Sequence, residues 1–275
     1  MWVWFTAVAC LIVGRGFPPV IPAILSILTA FFIASAVYVY NDVVDVEIDK
    51  INPFKNKRPL ATGKVNKNDA MKTFYISAFI GLFISVFLNI YSFLFSLIYL
   101  ILFTLYSYPK IYLKNKFIIK ELTQASGQMI WSLMASYAII GSFSVNAFFA
   151  SILYSILIFT AIPAFADTTD IEADMEFGLT SLAIVLSWKR KMQLLIAGTL
   201  IIMTLTPLTY VNFGFNMILP IFVVAAGLIY LRFMFPIIDH YDTTILLRAR
   251  KVGYIYNISL GVFFVIASIN FSVFF

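Results

Sequence analysis

Long apolar runs separated by short polar links dominate this chain. The runs fall at roughly 1–14, 19–40, 70–89, 92–109, 118–141, 146–166, 192–210, 216–236 and 252–274. About 20 consecutive apolar residues cross a bilayer core as a helix, and a helix satisfies its own backbone there. The pattern therefore predicts an all-α polytopic membrane bundle with nine spans. The first run, Trp2 to Val13, has only twelve residues. It is expected to begin in the headgroup zone or to follow further sequence. No basic stretch or small-residue cleavage site marks a cleavable signal peptide.

The links differ in charge. Those near Asn89, at Gly141-Ser142 and from Tyr210 to Phe215 are bare. Every acidic residue lies in 41–69, 110–121, 167–191 or 237–251, and 17 of the 19 basic residues lie there or nearby. Charged and bare links alternate, so the charged ones share one side, and their Lys/Arg excess makes that side cytoplasmic. Nine spans then leave Phe275 outside. Spans two and six both end in acidic clusters, which suggests two related four-helix halves plus one helix within a single domain over 1–275.

Composition agrees. Of 275 residues, 62% are hydrophobic and 12% charged, against about 25% charged in soluble domains. The net charge of +6 sets topology and meets anionic headgroups; no nucleic-acid partner is called for. The single cysteine, Cys10, reads as an inert core residue with no disulfide partner. His240, between Asp239 and Asp242, reads as a loop residue.

The candidate chemistry sits in two acidic stretches. Asn41-Asp42-x-x-Asp45-x-Glu47-x-Asp49 ends the second run, and Asp167-x-x-Asp170-x-Glu172-x-Asp174 follows 125 positions later. Read as helix, Asp42, Asp45 and Asp49 share one face, as do Asp167, Asp170 and Asp174. Glu47 and Glu172 fall off those faces. Hard oxygen donors without nearby Cys or His suit Mg²⁺, which is commonly held by one or two carboxylates and substrate phosphates. Two opposed faces could bridge a diphosphate. The bland alternative is a solvated loop whose acids balance its lysines. Lys55 and Arg58 are candidates for phosphate oxygens. Tyr106, Tyr108 and Lys110 arrive together at a membrane edge, as interface anchors or facing the acidic pocket. A transporter would place its ionisable groups near the midplane, whereas here they cluster at one edge.

Asn41-Asp42-x-x-Asp45-x-x-x-Asp49, then Asn52-Pro53-Phe54-Lys55-Asn56-Lys57-Arg58-Pro59-Leu60-x-x-Gly63, resembles the first signature of the UbiA superfamily of intramembrane prenyltransferases. Asp167-x-x-Asp170-x-Glu172-x-Asp174-x-x-x-Gly178-x-x-Ser181-Leu182 resembles the second, and Tyr106-Ser107-Tyr108-Pro109-Lys110 with Lys114 is similar to the family's tyrosine- and lysine-bearing link. The resemblance implies a helical bundle around a central cavity capped on the cytoplasmic side. It implies Mg²⁺-dependent transfer of a prenyl group, closest in style to geranylgeranyl-type chains, from a polyprenyl diphosphate. The acceptor would be an aromatic ring or a prenylated glycerol phosphate, as in archaeal ether lipids. The implied metal ligands are Asp42, Asp45, Asp49, Asp167, Asp170 and Asp174. Asn41, Lys55, Arg58, Tyr106, Lys110 and Lys114 would bind substrate, with Lys55, Arg58, Tyr108 and Lys110 taking part in catalysis. Phe165-Ala166 stands where many archaeal ether-lipid members carry an Arg-Glu pair.

Overall fold

The computed structural model describes residues 2–269. Each of the nine expected runs is a helix among them. In chain order the helices are α1 (Trp2–Val13), α2 (Val20–Val44), α3 (Val46–Ile51), α4 (Lys67–Val86), α5 (Ile90–Ser107), α6 (Ile119–Ile140), α7 (Val145–Ala161), α8 (Ile171–Glu176), α9 (Leu182–Val185), α10 (Trp188–Thr209), α11 (Ile218–Met234) and α12 (Thr243–Ser268). Seven are long and apolar enough to cross a membrane. The short α1 and the more polar α6 fall outside that set, so the count of nine spans is not fixed by length and apolarity. Positions 270–274 of the last expected run, the placing of Phe275, and Met1 lie outside the described residues.

Turn chemistry sets the helix ends. The Asn66, Asn89, Ser144, Ser187 and Asp242 side chains accept from backbone N–H groups in the first turns of α4, α5, α7, α10 and α12, satisfying donors the helix cannot. Asn89 also donates to the Tyr137 carbonyl at 2.7 Å, tying the α4–α5 corner to α6. α6 ends at Gly141, whose φ of 69° suits glycine in a left-handed cap.

α6 packs on α1, α5 and α7, α2 on α4, and α11 on α10 and α12. Trp2, Phe5, Tyr99, Trp131, Leu153, Tyr154 and Phe264 are buried in the central core. Two glycines let helices close up. A Cβ at Gly127 would meet the Trp2 ring at 2.7 Å, and one at Gly198 would meet Thr160 at 2.7 Å. Small residues serve this purpose where helices associate in lipid. Phe79, Leu228 and Ile255 instead stand more than half exposed, as expected of a lipid-facing surface. Cys10 is buried, as expected.

The charged links meet at one end. The cavity there is lined by residues of the α2–α4, α5–α6 and α7–α10 links and of α12. At the other end Arg15 donates to the Gly214 carbonyl at 2.5 Å, closing the α1–α2 corner onto the α10–α11 corner.

Gly127→Leu is expected to overpack the α1–α6 contact and cost about 1–3 kcal/mol. Thermal unfolding in detergent should show a lowered midpoint, while Gly63→Ala, in open space but at positive φ, should lower it less.

Candidate active site

Two helix interruptions build the site. α2 stops at Asp45 and the chain resumes as α3. The Asp45 N–H still donates to the Asn41 carbonyl at 2.9 Å, and that of Asp49 to the Asp45 carbonyl at 2.8 Å. Asp42, Asp45 and Asp49 thus stay in near-helical register across the break. The second stretch departs further from the single helix expected. α7 passes into a π-helical turn over Ile162–Ala166, then a 3₁₀ turn over Asp167–Thr169, before α8. Pro163 in the π turn has no N–H to give to the helical ladder, and such turns recur at functional sites. Thr168 Oγ1 caps the Pro163 carbonyl at 2.9 Å, and Lys191 Nζ donates to that hydroxyl at 3.2 Å.

These interruptions flank a cavity of about 600 Å³. Asn41, Asp42, Asp45, Asp167, Asp170 and Asp174 line it, with Lys55, Arg58, Tyr106, Lys114, Lys120 and Arg250. Its inner wall turns aromatic and apolar at Trp2, Val37, Tyr38 and Phe103. It is polar at one end and greasy at the other.

The carboxylates do not stand as two bare opposed faces. Arg58 Nη1 bridges Asp42 Oδ1 at 2.6 Å and Asp49 Oδ2 at 2.8 Å. Lys114 Nζ is ion-paired with Asp45. Lys55 Nζ meets Asp170 Oδ2 at 2.8 Å. Lys120 Nζ lies 2.8 Å from Asp167 Oδ2 and 3.8 Å from Asp174 Oδ2. Among the described residues no three acidic, His or Cys groups converge into a ready metal cage. The reason is electrostatic: crowded carboxylates at a low-dielectric edge take whatever cations reach them. Burial still tells. It pushes the Asp174 carboxyl up to about 6 against the pull of Lys120, pushes Asp49 up despite Arg58, and draws the Lys114 ammonium down despite Asp45.

The two stretches are joined directly. Asn52, 1% exposed, donates to Asp170 Oδ1 at 2.9 Å, beside the Lys55–Asp170 pair. Asn52 Oδ1 accepts from the Phe54 N–H at 2.9 Å, which holds the turn presenting Lys55. Asn41 Oδ1 accepts from Ser107 at 2.8 Å, and Tyr106 Oη accepts from Gln124 at 2.5 Å.

Three expected site residues are placed elsewhere. Asp49 is buried behind Arg58, outside the cavity lining, because α3 turns it toward the guanidinium. Tyr108 and Lys110 are exposed beyond the end of α5 and also lie off the lining; the helix ends at Ser107, and the chain bends outward at Pro109. Glu47 and Glu172 are exposed, and Glu47 pairs with Lys50 at 2.9 Å. His240 is exposed in its loop. Three contributors carried no sequence signal of their own: Lys120, Gln124 and Arg250. Lys120 looks like any topology lysine until α6 aims it at Asp167. Asn52 stands in a quoted motif but shows its partner only in three dimensions.

The donor set suits a hard divalent cation: every oxygen is carboxylate or amide, and carboxylates from both stretches share one chamber. A chamber lined by aspartates and by the cations paired with them, with a greasy inner wall, defines an intramembrane protein that handles a polyanionic headgroup on an apolar tail. The comparisons narrow the class. Residues 2–269 match the UbiA prenyltransferase family, and the chain belongs to that family; it is an integral multi-pass membrane protein and a prenyltransferase. It is 32% identical over 251 residues to digeranylgeranylglyceryl phosphate synthase of Sulfolobus acidocaldarius, spanning 90% of this chain and 86% of that one. To the synthase of the same name from Methanobrevibacter smithii it is 31% identical over 218 residues, 77% and 75% of the two chains. Its fold matches a solved structure of digeranylgeranylglyceryl phosphate synthase with a TM-score of 0.71 at 22% identity, over 98% of this chain and 93% of that one. It matches a UbiA homolog from Archaeoglobus fulgidus bound to GPP and Mg²⁺ with a TM-score of 0.71 at 19% identity, over 96% and 95%.

Both partners of the Lys120–Asp167 pair are only 8% exposed. Lys120→Met should therefore cost about 3–5 kcal/mol by stranding a buried carboxylate. Adding Asp167→Asn should recover much of that stability without recovering turnover. Thermal unfolding and product formation, measured on both variants, check this.

Proposed function

We propose that the chain transfers a geranylgeranyl-type group from its diphosphate to the hydroxyl of a prenylated glycerol phosphate, as the names of its relatives indicate for them. The observation that carries the reading is the ion-pair set of the chamber. Four cations, Lys55, Arg58, Lys114 and Lys120, already hold all six aspartates. A diphosphate entering alone must pull those cations off carboxylates that are left uncompensated. Asp42, Asp45, Asp167, Asp170 and Asp174 would hold Mg²⁺, which would supply charge to neutralise the carboxylates and the leaving diphosphate.

The chain's own groups do the rest. Lys55, Arg58 and Lys114 turn to phosphate oxygens and stabilise charge that develops as the C1–oxygen bond breaks, its electron pair leaving with diphosphate. Asp49 keeps Arg58 in place from behind. Asn41, fixed by Ser107, and Tyr106, fixed by Gln124, face the same space. The acceptor oxygen bonds to C1, and its proton passes to the released diphosphate. The aromatic wall at Trp2, Tyr38 and Phe103 keeps water from the allylic cation and supplies π systems that stabilise its charge. Lys110 and Tyr108, off the lining, sit at headgroup level. The charged end faces the cytoplasm, as the Lys/Arg bias of its links supports.

Asp45→Ala and Asp170→Ala, in protein shown to be folded, should each reduce Mg²⁺-dependent diphosphate release by at least 10³-fold. Lys110→Ala should stay within about threefold of the parent. Wild-type-like turnover in either aspartate variant would remove the metal role. The assay is diphosphate release, with mass spectrometry of the lipid product, from geranylgeranyl diphosphate and a panel of acceptors.

A further inference from the structure

A second, smaller space opens beside the cavity. It is an apolar slot of about 120 Å³ between α7 with its π turn, α11 and α12. Ile162, Ala166, Arg250 and Tyr254 line both spaces, so the slot adjoins the reaction chamber. Two polar groups are set into it. Arg250 belongs to none of the ion pairs among the described residues. Its Nε and Nη2 donate only to Tyr254 Oη, at 3.2 and 3.1 Å, over whose ring it lies. Tyr230, 1% exposed, lines the slot, and its hydroxyl is buried with no hydrogen-bond partner. A buried, unpaired hydroxyl is costly. Gly253 leaves the slot open: a Cβ there would stand 3.1 Å from the Phe165 ring and 3.6 Å from the Tyr230 hydroxyl.

We propose that this slot is the acceptor's berth, its ligand a phosphate-headed amphiphile. The inference rests on the prenyltransferase reading above and deepens it. The transfer brings together two apolar chains and two phosphate-bearing heads. The four cations of the main chamber are committed to the aspartates or to the donor's diphosphate. Arg250, at the junction, is a cation free of carboxylates and suited to phosphate oxygens. The donor's chain follows the Trp2–Phe103 wall. The acceptor's head-proximal carbons enter the slot, its more polar atoms meeting the Tyr230 hydroxyl. The slot is too small for a long chain, so the remainder runs past the exposed Tyr254 ring into lipid. Its hydroxyl then approaches C1 from the α12 side. Arg250 and Tyr230 are specificity-determining residues here.

The test uses the full chain in detergent with Mg²⁺, geranylgeranyl diphosphate and either a mono-prenylated glycerol phosphate or its dephosphorylated alcohol. The parent should show an acceptor KM at least tenfold lower for the phosphorylated form. Arg250→Gln should erase that preference while leaving the donor KM within twofold, and Arg250→Lys should keep part of it. Gly253→Leu, which fills the slot, should raise the acceptor KM without changing donor affinity. Unchanged acceptor KM in both Arg250→Gln and Gly253→Leu overturns the inference and leaves the prenyltransferase reading intact. So does an equal rise in donor KM for Arg250→Gln, which would assign the guanidinium to the diphosphate. Retention of the phosphorylated lipid without donor, followed by native mass spectrometry, is read separately. The parent should hold it and Arg250→Gln should lose it, and equal retention again overturns the berth. A parent that binds the lipid yet releases no diphosphate with any acceptor would defeat the prenyltransferase reading instead.

Discussion

Six carboxylates packed at the end of a membrane bundle repel one another, and everything at this end of the protein answers that repulsion. Isolated, such groups at a low-dielectric edge would protonate or unfold the links that carry them. Here each is held by Lys55, Arg58, Lys114 or Lys120. The pairing draws the α2–α4, α5–α6 and α7–α10 links together over the cavity. It also leaves the site able to change partners. The cations that hold the aspartates are those a diphosphate needs, and the aspartates are those a divalent ion needs.

The rest of the bundle serves the opposite requirement. Its core is aromatic and tightly packed around α1, α6 and α7, and it carries a dry wall up to the charged end. A polyprenyl tail arriving from lipid gains almost nothing by moving into such a wall, so recognition falls on the headgroup. That division explains why chemistry-bearing residues crowd the links while the mid-bundle segments stay almost uncharged.

The nine apolar runs and the acidic stretches were legible in the sequence because lipid forces long unbroken runs and charges are rare within them. The carboxylate register at Asp42, Asp45 and Asp49 was also legible, since the backbone keeps i,i+4 bonds across the break at Asp45. What periodicity does not encode is direction. α3 rotates Asp49 behind Arg58, Pro163 unwinds the second stretch into π and 3₁₀ turns, and the chain bends at Pro109 to carry Lys110 outward. Lys120 and Asn52 looked ordinary because their partners lie 47 and 118 residues away. Likewise, the Phe165-Ala166 departure falls within the π turn and did not keep the chain from matching relatives named digeranylgeranylglyceryl phosphate synthase.

The central claim is that both acidic stretches share one metal and diphosphate site. Crystals of the full chain soaked with Mn²⁺ and a non-hydrolysable geranylgeranyl diphosphate analogue, examined by anomalous scattering, test it most directly. The account predicts metal peaks within coordination distance of carboxylates from both stretches, bridged by the diphosphate, with Lys55 and Arg58 turned to phosphate oxygens. Metal bound at one stretch alone, or a diphosphate seated away from the Asp42–Asp170 chamber, would contradict it.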